Sequence, residues 1–373
     1  MKIVFLIRSL NFGGAERQLV TLAKGLRQRS YDVRVFVFYP GGVLRKELEN
    51  AGIDVRDFNK KGRWDICLFL WKLIKAFLSE KPDILHGYLI EPNVIALFFK
   101  LFRPRTRVVW GMRATALDYK KYDWFSSWTF RVCRRLSAFA DQIIVNSNAG
   151  KRFLRVTGFP QKNLIVIQNG IDTDHFRPDS RSRVRTRTAW NIRDEEILIG
   201  MVARFDPMKD QENFIEAAHI LEKEFPKVRF ACIGKGGGTY FNYIERCAER
   251  LQLKRKIIWA GEVGDVVSVY NALDIACLSS AFGESFPNVV AEAMACGVPC
   301  VATDVGDTAE IIEEFGIVVP PQRPELLASG IRNLIKRLES EGPSLQAGAR
   351  ERIVSRFSKD IMVENSIKAL FEK

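Results

Sequence analysis

The sequence predicts an α/β protein made of two Rossmann-like, doubly wound parallel-sheet domains that face each other across a cleft. Three observations carry this. Short β-rich apolar runs alternate with helical patterns along the chain. The alternation breaks at a Pro- and Arg-containing stretch near 172–190 and then restarts. Each half opens with a strand followed by a loop, the beginning of a doubly wound sheet.

In the first half, Lys2 to Ile7 is a short apolar run and Leu10-Asn-Phe-Gly-Gly14 is a loop. Leu19, Leu22, Ala23 and Leu26 then share one face of a helix. Tyr31 to Tyr39 reads as the second strand. Further strands fit Asp83 to Leu85, Val108–Val109 and Gln142 to Val145, and Ser147 suits a helix N-cap. Asn169-Gly-Ile-Asp172 reads as a tight turn in which Asn or Gly supplies a positive φ. Asp172 to Trp190 reads as a linker holding Pro178, several Ser and alternating Arg from Arg181 to Arg187.

The second half restarts with a strand at Ile197 to Val202, a loop at Phe205 to Asp210 and a helix at Glu212 to Glu222. A strand at Val228 to Ile233 precedes Gly234-Lys-Gly-Gly-Gly238. Others fit Ile257 to Ala260, Ile275 to Leu278 and Val298 to Ala302.

A chain of 373 residues has room for about two domains. Its 47% hydrophobic content supports a large core and excludes a disordered chain. No apolar stretch reaches the roughly 20 residues that a membrane span needs, and Lys2 and Arg8 bracket too short an apolar run for a signal peptide. The seven cysteines form no Cys-x-x-Cys pair and read as buried reduced thiols. His86, His175 and His219 are too scattered for a histidine-rich metal centre, so no metal site is expected. These features place the protein in the cytoplasm. Residues 1–170 carry 30 Lys and Arg against 13 Asp and Glu, an excess of 17 positive charges, whereas residues 171–373 carry 27 against 31. The basic half implies an anionic partner.

The strongest chemical signal is Glu284-Ser-Phe-Pro-Asn-Val-Val-Ala-Glu292. Pro287 suits the first turn of a helix, and Gly297 with Pro299 marks its end. The helix N-terminus, with the amides of Asn288 and Val289, suits a phosphate. Glu292 lies about 7.5 Å along the axis from Pro287, so two carboxylates bracket that helix start. The bland alternative is a capped core helix with two solvated glutamates. In Ala203-Arg-Phe-Asp-Pro-Met-Lys-Asp210, Arg204 and Lys209 sit at a strand's carboxyl end and suit a diphosphate. Alone they would read as a basic turn. Phe12-Gly-Gly-Ala-Glu-Arg17 lets backbone approach a ligand at Gly13 and Gly14, but it lacks the dinucleotide fingerprint. His86 follows Asp83-Ile-Leu85 and could meet a sugar hydroxyl or a phosphate, although a lone histidine among apolar residues is more often structural. The Gly234–Gly238 run lacks the Lys-Ser/Thr ending of an ATPase loop.

Taken together in order and spacing, these motifs resemble the retaining glycosyltransferases of family 4, which have the two-domain GT-B fold. Phe12-Gly-Gly-Ala-Glu16, Asn169-Gly-Ile-Asp172, Ala203-Arg-Phe with Lys209, Glu284 to Glu292, and Val301-Ala-Thr-Asp-Val-Gly306 all match that pattern. The resemblance implies an acceptor-binding domain at 1–175, a linker at 176–194, a nucleotide-sugar-binding domain at 195–355, and a helix at 356–373 crossing back to the first domain. It implies that Arg204 and Lys209 hold the donor diphosphate, that Glu284 contacts the transferred sugar and that Glu292 contacts the ribose. Phe286, Asn288 and Val289 would line phosphate and sugar, with Glu262 near the base. Gly13 and Gly14 would admit the acceptor beside the donor phosphate, and His86 would lie near the sugar. Ala203 and Pro287 depart from the family's usual glycines, and Asp307 replaces a frequent glycine after Gly306. Pro287 has no amide to give a phosphate.

The implied reaction retains the anomeric configuration by front-face attack, with no cofactor or metal, from a nucleotide-sugar donor, UDP-sugar being favoured. The acceptor would be lipid-linked or a saccharide, in polysaccharide or lipopolysaccharide synthesis. Ile66 to Leu78, Asn93 to Arg107 and Trp124 to Phe139 mix Trp, Phe and Leu with Lys and Arg. They read either as core helices with basic faces or as a surface for the anionic inner membrane. A sugar-nucleotide epimerase, a non-catalytic donor-binding homologue and a basic nucleic-acid-binding protein are the alternatives. The last is disfavoured because no nucleic-acid reading motif occurs.

Overall fold

The computed structural model describes residues 1–11, 13–62, 65–113 and 124–371, with residues 124–127 described by backbone alone. Phe12 of the glycine motif and the first four side chains of the Trp124–Phe139 stretch lie outside that description. The chain divides into two compact units, Met1–Gly170 with Lys359–Lys373, and Ile171–Ser358.

Unit 1 runs β1 (Lys2–Ile7), α1 (Gly14–Gln28), β2 (Asp32–Val37), α2 (Arg45–Asn50), β3 (Asp54–Asp57), α3 (Ile66–Glu80), β4 (Ile84–Tyr88), α4 (Ile90–Phe102), β5 (Arg107–Met112), α5 (Trp124–Leu136), β6 (Gln142–Val145), α6 (Asn148–Val156) and β7 (Leu164–Val166). The sheet order is β3-β2-β1-β4-β5-β6-β7, and every pairing is parallel. Such a sheet is covered on both faces, which explains why β1 is a continuous apolar run with Ile3 to Ile7 all buried. The predicted α1 stripe of Leu19, Leu22, Ala23 and Leu26 is buried in the core. Ser147 caps α6 by accepting from the Gly150 amide at 2.8 Å.

Unit 2 holds α7 (Ser180–Ala189), β8 (Ile197–Val202), α8 (Gln211–Glu224), β9 (Val228–Ile233), α9 (Gly238–Arg250), β10 (Ile257–Gly261), α10 (Val266–Ala272), β11 (Ile275–Leu278), α11 (Asn288–Ala295), β12 (Cys300–Thr303), α12 (Thr308–Ile312), β13 (Gly316–Val319) and the kinked α13 (Pro324–Phe357). Its order is β10-β9-β8-β11-β12-β13, again parallel throughout. Both sheets reverse their winding beside their first strand, between β1 and β4 and between β8 and β11. Ligands of open α/β sheets bind beyond the strand carboxyl ends at these switch points.

Two sequence expectations change. The stretch read as a linker contains α7, which belongs to unit 2. Arg183 and Arg187 of α7 both bond Asp274, at 2.6 and 3.0 Å, so the arginine alternation is a packing pattern and not a solvated tether. Gly170 is not in the left-handed region. A Cβ there would lie 2.8 Å from Lys359 Cα, so close approach is what requires glycine. The final helix, α14 (Lys359–Phe371), belongs to unit 1, where Met362, Val363 and Leu370 join the core beside α1.

Candidate active site

The unit 2 switch point is built from two loops, 203–210 after β8 and 279–287 after β11. They are stitched together by backbone and hydroxyl bonds. Ser279 Oγ donates to the Lys209 and Asp210 carbonyls at 3.0 and 2.8 Å, and the Ala281 amide donates to the Met208 carbonyl at 2.9 Å. Lys209 Nζ lies 2.5 Å from Glu284 Oε1, and Ser280 Oγ donates to the same oxygen at 2.7 Å. Both partners are largely buried, at 15% and 10% side-chain exposure, so this ion pair is shielded from bulk water.

Arg204 behaves differently. Its side chain is 64% exposed and its Nε donates to Asp206 Oδ2 at 3.1 Å. Its carbonyl accepts from Gln211 Nε2 at 2.8 Å, which fixes the backbone while the guanidinium stays reachable.

A third loop closes on Glu284 from β12. Gly306 has a φ of +67°, and a Cβ there would lie 2.5 Å from the Ser285 carbonyl oxygen and 2.8 Å from that of Glu284. Only glycine fits this approach. The Asp307 amide donates to the Ser285 carbonyl at 2.9 Å, which locks the loop ahead of α11.

Helix α11 begins at Asn288, with Pro287 as its N-cap and no side-chain cap. The sequence placed its start between Phe286 and Asn288 and its end near Cys296, which is the C-cap. Phe286 is buried, its ring 5.5 Å from that of Phe357, so its side chain anchors the loop and only its backbone leads the helix. Val289 packs partly buried against the unit 2 core. Glu292 accepts from the Tyr270 hydroxyl at 2.9 Å. Tyr270 is fully buried, and burial together with the Glu292 charge pushes its phenol well above its ordinary range. Sequence reasoning missed Tyr270, Ser279 and Ser280. The Ser-Ser pair at a strand's carboxyl end was a readable signal, whereas Tyr270 reaches Glu292 only through the fold.

The other expected residues are dispersed. Glu262 is exposed after the edge strand β10, two strands from the switch point. The Gly234–Gly238 run is a loop between β9 and α9. In unit 1, Gly13 caps α1 in an extended conformation and Gly14 is its first residue. Glu16 folds back so closely that a Cβ on Gly13 would meet its Oε2 at 2.2 Å.

His86 needs correction. Placed by sequence at a strand's carboxyl end, it lies inside β4, which continues to Tyr88 because Gly87 and Tyr88 pair with Trp110 and Gly111. The ring is fully buried, between Phe5 at 5.3 Å and Tyr88 at 4.8 Å, and among the described residues neither nitrogen has a hydrogen-bond partner. Burial, with the charge of Arg113, holds its pKa well below the ordinary histidine value and so favours the neutral imidazole.

This arrangement can be compared with known proteins. The family described as Glycosyltransferase Family 4 matches residues 12–175, and that described as Glycosyl transferases group 1 matches residues 182–344. The chain belongs to these glycosyltransferases. An uncharacterized glycosyltransferase of Methanocaldococcus jannaschii is 30% identical over 226 residues, 59% of this chain and 54% of the relative. A D-inositol 3-phosphate glycosyltransferase of Mycobacterium marinum is 27% identical over 225 residues, 58% of this chain and 45% of the relative. The matches thus span about half the length of these curated relatives. The crystal structure of Anabaena Alr3699/HepE in complex with UDP shares the fold, with a TM-score of 0.87, 23% identity and 99% coverage of both chains. For a member of this family, the matched group 1 region holds Arg204, Lys209, Glu284 and Glu292, and the family 4 region holds Gly13, Gly14 and His86.

Proposed function

We propose that the protein transfers a hexose or N-acetylhexosamine from a nucleotide-diphosphate sugar, with UDP-sugar the favoured donor, to a lipid-linked or saccharide acceptor in polysaccharide or lipopolysaccharide synthesis. One observation carries this reading. Lys209, Arg204 and the N-terminus of α11 surround the unit 2 switch point, with Glu284 bonded to Lys209. Two cations and a helix start suit a diphosphate, and carboxylates suit hydroxyls of sugar and ribose. The UDP bound by the structurally similar Anabaena protein supports uracil as the base.

In this reading Arg204 and Lys209 stabilise the charge that develops on the departing diphosphate. Lys209 is held by Glu284 until the anion arrives, and Arg204 is open to it. The departing phosphate takes the acceptor's proton, so the sugar is delivered with retention. The two cations supply the charge stabilisation, and we propose that no metal or cofactor is needed. Glu284 meets the sugar and Glu292, steadied by Tyr270, meets the ribose. Phe286, Asn288 and Val289 line the phosphate and sugar through the loop and helix start, and Glu262 lies toward the base. Gly13, Gly14 and His86 belong to unit 1, where His86 supports the strand end from within.

We also propose that unit 1 docks on the cytoplasmic face of an anionic membrane. Ile66, Leu68 and Trp71 of α3 and Phe98, Leu101 and Phe102 of α4 are exposed, and Lys75 Nζ lies 5.5 Å from the Trp71 ring centroid. Among the described residues no helix is long and apolar enough to cross a membrane.

The test is a thermal-shift series with UDP-, GDP- and ADP-sugars. Binding at a hundredfold excess over Kd stabilises by about 2.7 kcal/mol. Stabilisation by a UDP-sugar, with release of UDP only when acceptor is added, is expected. No stabilisation by any nucleotide sugar overturns the reading, and turnover without acceptor points to an epimerase.

A further inference from the structure

Arg113, the first residue after β5, is a partly buried cation whose hydrogen-bond partners are neutral. Its Nη1 donates to Asn169 Oδ1 at 3.0 Å and its Nη2 donates to the Tyr88 hydroxyl at 2.8 Å. The guanidinium also lies 4.8 Å from the Tyr88 ring centroid. Among the described residues no carboxylate pairs with it. Several other partly buried arginines are answered by acids, Arg183 and Arg187 by Asp274, Arg34 by Glu80, and Arg45 by Asp57, whereas Arg350 is held by three backbone carbonyls; Arg113 has one side-chain amide oxygen and one phenol. Withdrawing a cation from water without a counter-charge is costly, and an arriving anion removes that cost.

The surroundings are prepared for such an anion. Arg113 lies at the carboxyl ends of β4 and β5, beside the unit 1 switch point. Beneath it, the His86 ring is buried and, among the described residues, neither of its nitrogens has a hydrogen-bond partner. Next to Tyr88, Leu89 holds a φ of 74° and ψ of 177°, a strained conformation for a residue with a side chain. It persists because the Leu89 amide donates to the Gly111 carbonyl at 3.0 Å, while Asn93 bonds both the amide and the carbonyl of Gly111 at 3.2 Å. The backbone that carries Tyr88 and Arg113 is thereby fixed before any ligand binds. A planar guanidinium fork matches phosphoryl oxygens in two places, and the excess of 17 positive charges over residues 1–170 favours an anion of high charge.

We propose that Arg113, oriented by Tyr88 and Asn169, binds a phosphoryl group of the acceptor within unit 1. This rests on the glycosyl-transfer reading and adds the acceptor's chemistry to it. The phosphoryl group could come from a lipid phosphate or from a soluble sugar phosphate.

The experiment is calorimetric titration of inorganic pyrophosphate into the full-length protein already saturated with UDP, so that the donor site is filled. Wild type binds pyrophosphate. R113Q and R113K weaken this binding at least tenfold, and Y88F weakens it several-fold, while all keep wild-type affinity for UDP. Equal pyrophosphate affinity in wild type and R113Q, or no binding to the UDP-loaded wild type, overturns the proposal. If R113Q does not fold, R113K carries the measurement, and wild-type affinity there is equally fatal. Should UDP itself fail to bind, the glycosyl-transfer reading falls, and the dependence of pyrophosphate binding on Arg113 is read without it. Competition by neutral vesicles carrying a long-chain isoprenoid phosphate, set against competition by a soluble hexose phosphate, identifies the source.

Discussion

Lys209 and Glu284, 75 residues apart in sequence, share an ion pair of 2.5 Å across the switch point of the unit 2 sheet. The pair keeps a cation desolvated and aimed at the site, but it also neutralises that cation until a donor arrives. A charge-assisted hydrogen bond contributes about 1.5–3 kcal/mol. K209A should therefore raise the Kd for UDP by roughly 10- to 100-fold, measured by calorimetry. E284Q frees the lysine, so UDP affinity should hold or improve while turnover with the nucleotide sugar falls. Wild-type UDP affinity in K209A would remove Lys209 from the donor site.

Tyr270 donates to Glu292 from full burial. Y270F deletes that bond and leaves the carboxylate less firmly oriented. The expected outcome is a loss of about 1–3 kcal/mol in stability and weaker binding of UDP, with binding of inorganic pyrophosphate little changed. Equal weakening of both ligands would mean that Glu292 does not act on the nucleoside.

Glu16 gives a pH signature. Burial raises its carboxyl above the ordinary 4.5, opposed by a backbone hydrogen bond and the charge of Arg8. As pH rises through 4.5, the unfolded chain loses its proton first, so the folded state binds more protons and its stability falls until its own carboxyl ionises. E16Q should be more stable than wild type at pH 7 and equal to it near pH 3.5. Thermal melts at the two pH values decide this, and a difference of the same size at both would refute it.

Trp71 and Leu101 are 59% and 77% exposed, so W71E and L101E should change folding stability by no more than about 0.5 kcal/mol. If α3 and α4 insert their apolar side chains into a bilayer, each loses about 1.5–3 kcal/mol of transfer energy. Partitioning onto acidic vesicles should fall at least tenfold in flotation assays at low salt. Unchanged partitioning would argue against docking through these helices.

Much of unit 2 was readable from local pattern. The strands at 197–202, 228–233 and 275–278 have the bounds that their apolar runs suggest, because central parallel strands are buried on both faces. The helix after Pro287 was equally clear, since proline and glycine punctuate both its ends. Features set by distant partners were not legible. Arg183 and Arg187 looked like a basic tether because Asp274 is far along the chain. His86 looked like a strand-end residue because the two further residues of β4 are held by pairing with β5. β3, β7 and β13, of three or four residues each, are too short to show a period alone. Arg113 is not legible in the sequence because having no paired carboxylate among the described residues is a property of space, not of order in the chain.

The placement of α14 bears on how the chain is made. Unit 1 comprises residues on both sides of unit 2, and Met362, Val363 and Leu370 fill its core. During synthesis the segment 171–358 emerges whole before those side chains exist. Unit 1, most of which is translated before unit 2, is therefore completed after it, and until α14 emerges the flank of α1 that packs against it stays uncovered.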